Sequence, residues 1–485
     1  MNVTNLKIRE IRDLLDKKSF SSVELTQAYL DRIKKIDGEL QSYITITEDL
    51  ALNSAKNAQN KIDNGNSSPL CGIPISIKDN ICTDGIKTTC GSKSLENFVP
   101  PYNATIIDKL NSQGMVMLGK ANLDEFAIGS TTQNIFAKTK NPYDFSKVPG
   151  GSSGGCAASV SASLCAGSIG SDTGGSLRQP ASLCGVTGLR PTYGSVSRYG
   201  LVAFASSLDQ IGTIAKDAHD CAFLLNSIVG HDDNDATSLK AKTIDFASKI
   251  GESIKGMKIA VPKEFYDENN GINPEVKDTV LNAAEKYKEM GAELIECSLP
   301  SLKYAVSTYL ILSSAEAASN LSRIDGIKYG HRSTKGETFG DIVRNSRTEG
   351  FGDEVKRRIL LGNFVLSSEQ YNDYYERALA LRQRFIADYA EIFEKCDVIL
   401  TPTTLSTATG ISENIMTPSN IYLDNICTVT VDIASLPAIS TPCGYDSNGM
   451  PIGMSIIGKK FDEATIIQLA DAFEKSFDAI SPKLI

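Results

Sequence analysis

Two clusters of glycine and serine in the middle of the sequence provide a candidate nucleophile. The first cluster is 149–155 (PGGSSGG) and the second is 170–176 (GSDTGGS). Glycine has no side chain to shield the main chain, so the N–H groups of Thr173, Gly174, Gly175 and Ser176 can converge beside the Ser176 hydroxyl. Such a cradle would stabilise an oxyanion. The pairing of the two clusters therefore favours a serine nucleophile over two ordinary turns.

A serine nucleophile needs a base, and the sequence offers a lysine as well as histidines. The three histidines, His219, His231 and His331, are far in sequence from both clusters. Lys78 follows an alternating apolar run, 73–77, which predicts a buried strand. Burial lowers a lysine pKa, by up to ~3–5 units for a fully buried group, so a neutral Lys78 could accept a proton. A histidine brought close by folding, and a solvated Lys78 at the end of its strand, remain the alternatives.

Two other motifs point to different chemistry but fit less well. Residues 151–155 match G-x-S-x-G, which would make Ser153 the nucleophile of an α/β-hydrolase, yet 148–150 read as loop where a strand should precede that serine. Residues 114–121 approach a phosphate-binding loop, but Ala121 replaces the Ser or Thr that would hold Mg²⁺. We expect no metal site.

Alternating and helical periodicities predict the α/β class, with a mixed sheet flanked by helices on both faces. We expect a single domain over 1–485, with a catalytic core at about 60–220 and a helical excursion at about 302–384 that helps build the substrate pocket. The local signals are a capping box at Ser21 and Glu24, helix-to-strand units at 103–120 and 273–297, a hairpin turn at 446–449 and a last helix at 463–475.

Composition limits the location and partners of the chain. No apolar run approaches the ~20 residues of a membrane span, and the N-terminus lacks the order of a secretory signal. The eleven cysteines form no C-x-x-C pair, which indicates reduced thiols and a cytoplasmic protein. The net charge of -9 disfavours direct binding of nucleic acid, so any role with RNA would act through a partner.

Three segments resemble the amidase signature family: 72–79 (GIPISIKD), the first glycine–serine cluster, and 170–185 (GSDTGGSLRQPASLCG). The order and the spacing of these segments both match. The resemblance implies amide hydrolysis by a Ser-cisSer-Lys triad. In it, Ser176 is the nucleophile, Ser152 is the bridging serine in a cis peptide, and Lys78 is the base.

Residues 319–326 and 349–362 in the second half resemble the family of A subunits of the glutamyl/aspartyl-tRNA amidotransferases. The resemblance implies that glutamine is hydrolysed here and that ammonia passes to a B subunit. That subunit would activate misacylated tRNA with ATP and Mg²⁺, and a C subunit would complete a heterotrimer. This chain itself would need no cofactor, and tRNA would be contacted mainly through the B subunit. Whether Glu-tRNA(Gln), Asp-tRNA(Asn) or both are served is left open.

The same resemblance implies the substrate contacts. Arg358 matches the residue that holds the glutamine carboxylate, and Tyr309 matches a substrate-contacting tyrosine. Asn425, preceded by Asp424, stands where the family tends to carry an aspartate for the amino group; Asp432 and Ser435 also depart from the pattern. A stand-alone amidase of broad specificity and a catalytically silent scaffold subunit are the alternatives.

Overall fold

A single mixed β-sheet organises the computed structural model, which describes residues 2–240, 245–411, 425–477 and 479–482. Within these ranges eleven strands pair in the order β1-β3-β2-β4-β6-β5-β10-β11-β9-β7-β8. The strands are β1 Tyr43–Ile46, β2 Pro74–Lys78, β3 Val116–Ala121, β4 Gly167–Asp172, β5 Thr187–Arg190, β6 Gln210–Ala215, β7 Lys258–Pro262, β8 Glu293–Cys297, β9 Val398–Pro402, β10 Ala438–Tyr445 and β11 Pro451–Gly458.

Helices surround this sheet. They are α1 Ile8–Asp16, α2 Ser22–Leu40, α3 Glu48–Asp63, α4 Thr105–Ser112, α5 Gly154–Ser161, α6 Arg178–Leu183, α7 Ala218–Ile228, α8 Pro274–Glu289, α9 Ala305–Leu321, α10 Phe339–Gly350, α11 Asp353–Val365, α12 Arg377–Phe393, α13 Ile426–Ile433 and α14 Glu463–Glu474. Every residue of β2, β4 and β6 is buried. Because successive strand residues point to opposite faces, both faces of these strands are covered. The predicted α/β class with a helix-flanked mixed sheet is confirmed.

Local sequence signals set several element boundaries. Ser21 accepts a hydrogen bond from the Glu24 N–H at 3.1 Å, and the Glu24 carboxylate accepts one from the Ser21 N–H at 2.8 Å, so the predicted capping box begins α2. The predicted hairpin turn joins β10 to β11, which pair antiparallel. Between β8 and β9 the chain forms helices and no strand, which matches the predicted helical excursion.

The arrangement of β2, β3 and β4 positions the candidate site. β2 pairs in parallel with both β3 and β4, with Ile77 opposite Ile169. The carboxyl ends of these strands therefore meet at one edge of the sheet, which we call the catalytic edge. Lys78 ends β2 there and Asp172 ends β4. Among the described residues, no helix is both long and apolar enough to cross a membrane.

Candidate active site

Lys78 is enclosed at the catalytic edge and surrounded by serine hydroxyls. Its side chain is 0% exposed. Its Nζ lies 2.8 Å from Ser152 Oγ, 2.7 Å from Ser153 Oγ and 3.0 Å from Ser171 Oγ. No carboxylate of the described residues lies within ion-pair distance of it. Burial lowers the pKa of Lys78 to about 8, so the amine is about half neutral at that pH and mostly protonated below it.

The hydrogen bonds around Lys78 indicate which serine can give it a proton. Ser153 Oγ donates its own hydrogen to the carbonyl of Ser171 at 3.0 Å, and Asn80 Nδ2 donates to Ser171 Oγ at 3.0 Å. Ser153 can therefore only accept a hydrogen from a neutral amine, and the Ser171 carbonyl can accept the second one at 3.4 Å. The amine lone pair then remains for the hydroxyl of Ser152 or of Ser171. This inventory of donors and acceptors excludes Ser153 as the proton donor to Lys78 and agrees with the role that the family resemblance gives to Ser152.

The loop that carries Ser152 is held on both sides. A cis peptide bond joins Gly151 to Ser152, as the family resemblance implies. The Gly151 N–H donates to Gln179 Oε1 at 3.0 Å, and the Asp124 N–H donates to the Ser152 carbonyl at 3.2 Å. The Asp124 carboxylate is itself fixed by the Thr132 N–H at 2.8 Å, and burial raises its pKa to about 6. These contacts fix the backbone around the Ser152 hydroxyl.

Ser176 lies beside this group and reaches solvent, with 7% of its surface exposed. The N–H of Ser153 donates to the Ser176 carbonyl at 3.1 Å, which joins the two glycine–serine loops. Within the described part of the chain, the Ser176 hydroxyl makes no hydrogen bond to Lys78 or Ser152. The predicted hydrogen bond between the Ser176 and Ser152 hydroxyls is therefore not formed in this structure. Catalytic hydrogen bonds often form or shorten only when substrate binds.

The backbone cradle next to Ser176 differs in one member from the prediction. The N–H of Gly175 donates to Asp172 Oδ1 at 2.9 Å, so it is already occupied and is not a free oxyanion donor. The N–H groups of Thr173, Gly174 and Ser176 donate to no other described residue. Gly175 instead has a structural role: its φ of +113° is one that glycine adopts easily, and a Cβ there would overlap Thr428 Oγ1.

A buried charge network holds the nucleophile loop, and sequence reasoning missed it. Asp172 pairs with Arg178 at 3.1 Å and with Arg190 at 3.4 Å, and both arginines also pair with Asp432, at 2.6 and 2.7 Å. Burial opposes ionisation of Asp172, but the two guanidinium groups hold its pKa well below the usual range. Arg178 also donates to the carbonyl of Thr428 at 3.2 Å, which links the loop to α13. The charged residues within the otherwise small and apolar 170–185 were the available signal.

Of the two predicted substrate residues on α9 and α11, Tyr309 lies against the cradle and Arg358 lies near Tyr309. A Cβ added to Gly174 would lie 2.6 Å from the Tyr309 hydroxyl oxygen, so α9 places this ring directly against the loop. Burial raises the pKa of Tyr309, and the nearby Arg358 opposes that rise. Arg358 is 4% exposed and donates to Ser313 Oγ at 3.1 Å and to Glu354 Oε1 at 2.9 Å. Its guanidinium is therefore held in position by α9 and α11.

A cavity of about 250 Å³ extends between the Asp124 region and α11. Its lining includes Asp124, Ile128, Gly129 and Glu354. Asp124 bonds the Ser152 backbone and Glu354 bonds Arg358, but neither the triad residues nor Arg358 line this cavity themselves.

Asn425 occupies the N-cap position of α13, where its carbonyl accepts a hydrogen bond from the N–H of Val429. The Asn425 carbonyl also accepts a hydrogen bond from Thr428 Oγ1 at 3.1 Å, and that hydroxyl also contacts the carbonyl of Gly174 at 2.7 Å. The Thr428 side chain therefore bridges Asn425 and the nucleophile loop. Asp424 lies outside the described residues.

The alternatives raised by the sequence are not supported by this geometry. His231 contacts Asp233 and His331 contacts Glu349, each at 3.0 Å, and none of the three histidines bonds to a glycine–serine loop in the described ranges. The hydrogen of Ser153 is committed to a backbone carbonyl, and no strand leads directly into its loop. No cluster of metal-binding side chains occurs among the described residues.

Comparison with known proteins agrees with the site geometry. The family model described as Amidase matches residues 24–467, and the chain belongs to this amidase family. Among curated relatives, two proteins named as the A subunit of glutamyl-tRNA(Gln) amidotransferase are 56% identical (Ruminiclostridium cellulolyticum, 98% of each chain covered) and 54% identical (Thermoanaerobacter pseudethanolicus, 98% and 97% covered). The solved structure of the Thermotoga maritima protein of the same name covers 99% of both chains, with 39% identity and a TM-score of 0.82.

Proposed function

We propose that this chain is the glutamine-hydrolysing subunit of a tRNA-dependent amidotransferase. The ammonia would convert Glu-tRNA(Gln) to the amidated form, with Asp-tRNA(Asn) as the second candidate acceptor. The near full-length likeness to proteins named as the A subunit of glutamyl-tRNA(Gln) amidotransferase supports the assignment. The observation that carries it is the buried amine of Lys78 at 2.8 Å from Ser152 Oγ, next to Ser176.

The proposed reaction begins with two proton transfers. Neutral Lys78 takes the proton of Ser152, and Ser152 takes the proton of Ser176. The Ser176 oxygen then attacks the side-chain amide carbon of glutamine, and the N–H groups of Thr173, Gly174 and Ser176 receive the oxyanion. The C–N bond breaks as the proton returns to the leaving ammonia. Water repeats the sequence on the acyl-enzyme and releases glutamate.

The substrate would be recognised at the two charged groups on its α-carbon. The fork of the Arg358 guanidinium suits the α-carboxylate, and the Tyr309 ring would close the pocket over the cradle. Asn425, with Asp424 before it, would contact the amino group. A neutral amide at 425 is a weaker partner for an ammonium than a carboxylate, so the affinity for glutamine depends on what else faces that group.

The remaining parts of the reaction would belong to partners. We propose a heterotrimer with B and C subunits in the cytoplasm, in which the B subunit contacts misacylated tRNA and uses ATP and Mg²⁺. The net charge of -9 on this chain agrees with tRNA being held elsewhere.

Ammonia release by the purified complex tests the proposal. Ser176→Ala should abolish release from glutamine, whereas Ser322→Ala, at an exposed serine that bonds only a backbone carbonyl, should not. If Ser176→Ala released ammonia at the wild-type rate, Ser176 would not be the nucleophile. A chain that prefers simple aliphatic or aryl amides and ignores its partners would instead be a stand-alone amidase. If the wild-type complex released no ammonia from glutamine, this chain would be a catalytically silent scaffold subunit.

A further inference from the structure

A second cavity lies at the edge of the sheet opposite the catalytic edge. Its volume is about 400 Å³. β4 and β6 run antiparallel, with Asp172 opposite Gln210 at the catalytic edge and Gly167 opposite Ala215 at the other. Lys216, which follows Ala215, lines this cavity. The cavity is therefore separated from Lys78 and Ser176 by the length of β4.

Two cations line this cavity without a negative partner. Lys216 Nζ donates to the backbone carbonyls of Thr4 at 2.8 Å and Leu6 at 3.2 Å, and Arg32 Nε donates to the carbonyl of Ala162 at 2.8 Å. Among the described residues, neither cation forms an ion pair. Lys7 also lines the cavity, but it already pairs with Asp217 at 2.8 Å.

Hydroxyl groups lie beside these cations. Ser161 and Ser163, at the end of α5, both line the cavity. Ser161 Oγ is buried and has no hydrogen-bond partner in the part of the chain that the structure describes. Two cations without an ion pair within the described residues, near an unsatisfied hydroxyl, form an incomplete polar site, because buried polar groups and charges are normally paired.

We propose that this cavity binds the phosphate group of a small molecule, either free phosphate or a phosphomonoester. The forked guanidinium of Arg32 and the ammonium of Lys216 supply charge for a dianion, and the Ser163 hydroxyl can donate to one of its remaining oxygens. A cavity of about 400 Å³ has room for an organic group on the phosphate. The site is independent of the proposed amide hydrolysis, since no residue of the triad or cradle lines it.

Binding to the purified chain tests this site directly. Isothermal titration calorimetry with inorganic phosphate and with glycerol 3-phosphate should show saturable binding of at least one of them. The tighter of the two shows whether the site prefers free phosphate or a phosphomonoester. Arg32→Gln and Lys216→Gln should each weaken binding at least about tenfold. Lys56→Gln, which removes an exposed cation on α3, should leave binding unchanged. Ammonia release should stay at the wild-type level in Arg32→Gln.

Three results would overturn the site: no binding of either phosphate compound at millimolar concentration, equal binding of acetate, or full binding by both cavity variants. The melting temperature without ligand, measured for each variant, separates loss of the site from loss of the fold.

Discussion

The Nζ of Lys78 and the Oγ of Ser152 lie 2.8 Å apart in a fully buried setting, although 74 residues separate them in sequence. Such a pair can transfer a proton only when the amine is neutral. Burial makes neutrality accessible, because it lowers the pKa of Lys78 to about 8. The catalytic competence of the site should therefore depend on pH in a defined direction.

The first prediction concerns the pH profile of glutamine hydrolysis. Below the pKa of Lys78 the amine is protonated and cannot act as base, so kcat/KM should fall on the acidic side with an apparent pKa near 8 and level off above it. Initial rates of ammonia release across that pH range measure this limb. Lys216 has a similarly lowered pKa of about 8 but lies at the opposite edge, so Lys216→Gln should keep the limb in place. If Lys216→Gln shifted the acidic limb of kcat/KM, the limb could not be assigned to Lys78.

The features of this site that the sequence predicts are those set by residues close together in the chain. The isoleucine alternation in 73–77 predicted β2 and placed Lys78 at its end, and the capping box predicted the start of α2. These features depend on neighbours a few residues apart, which periodicity records.

The supporting contacts depend on strand pairing and on other tertiary contacts, so they could not be predicted in this way. Ser171 reaches Lys78 only because β4 pairs with β2, and Asp432 meets Arg178 across 254 residues. The occupation of the Gly175 N–H by Asp172 is likewise a tertiary contact, and it removed one predicted oxyanion donor. The single-domain boundaries, and the roles assigned to the substrate residues, stay predictions.

The second prediction concerns the serines that hold Lys78. Ser171→Ala removes a hydrogen-bond acceptor from the ammonium form, which should lower the pKa of Lys78 and move the acidic limb of kcat/KM to lower pH. We expect a rate loss of roughly 10–100-fold, below the loss of about 10³-fold or more in Ser176→Ala, because positioning and not the nucleophile is removed. Ser159→Ala, at a buried serine of α5 outside the contacts of Lys78, is the matched control. An unmoved limb in Ser171→Ala would argue against this positioning role.

The third prediction concerns the contact between Gly174 and Tyr309. A Cβ at Gly174 would lie 2.5 Å from Tyr309 Cζ, so Gly174→Ala must displace either the ring or the cradle. Loss of one oxyanion donor lowers kcat by roughly 10²–10³-fold, and a loss of that size is expected here. Gly38→Ala, on α2 with nothing within 4 Å of the new Cβ, should leave the rate unchanged. A fully active Gly174→Ala enzyme would show that the loop is not the oxyanion site.

The fourth prediction separates two neighbouring arginines of α11. Arg358 is 4% exposed whereas Arg357 is 44% exposed, although both pair with Glu354. Arg358→Met should raise the KM for glutamine, by about 10–100-fold if one charge-assisted pair to the carboxylate is lost. Arg357→Met should change KM little, since an exposed pair contributes at most ~1 kcal/mol. Equal effects of the two variants on KM would remove Arg358 from the substrate site.

The fifth prediction concerns stability, and it follows from the charge network behind the nucleophile loop. Arg178, Arg190, Asp172 and Asp432 are all 0% exposed, so Arg178→Met would leave Asp172 and Asp432, whose pKa is raised by burial and by Asp172, facing a single arginine. Breaking a buried pair in this way typically costs about 3–5 kcal/mol in the free energy of unfolding. Arg377→Met is the control, because that arginine is 73% exposed and pairs with Asp373 at the surface, and its removal should cost less than ~1 kcal/mol. Urea unfolding of both variants measures the difference. Equal urea midpoints for Arg178→Met and Arg377→Met would mean that the charge network is not required to hold α13 against the cradle. The hydrogen bond from Thr428 to the Gly174 carbonyl would then be the contact that holds α13 there.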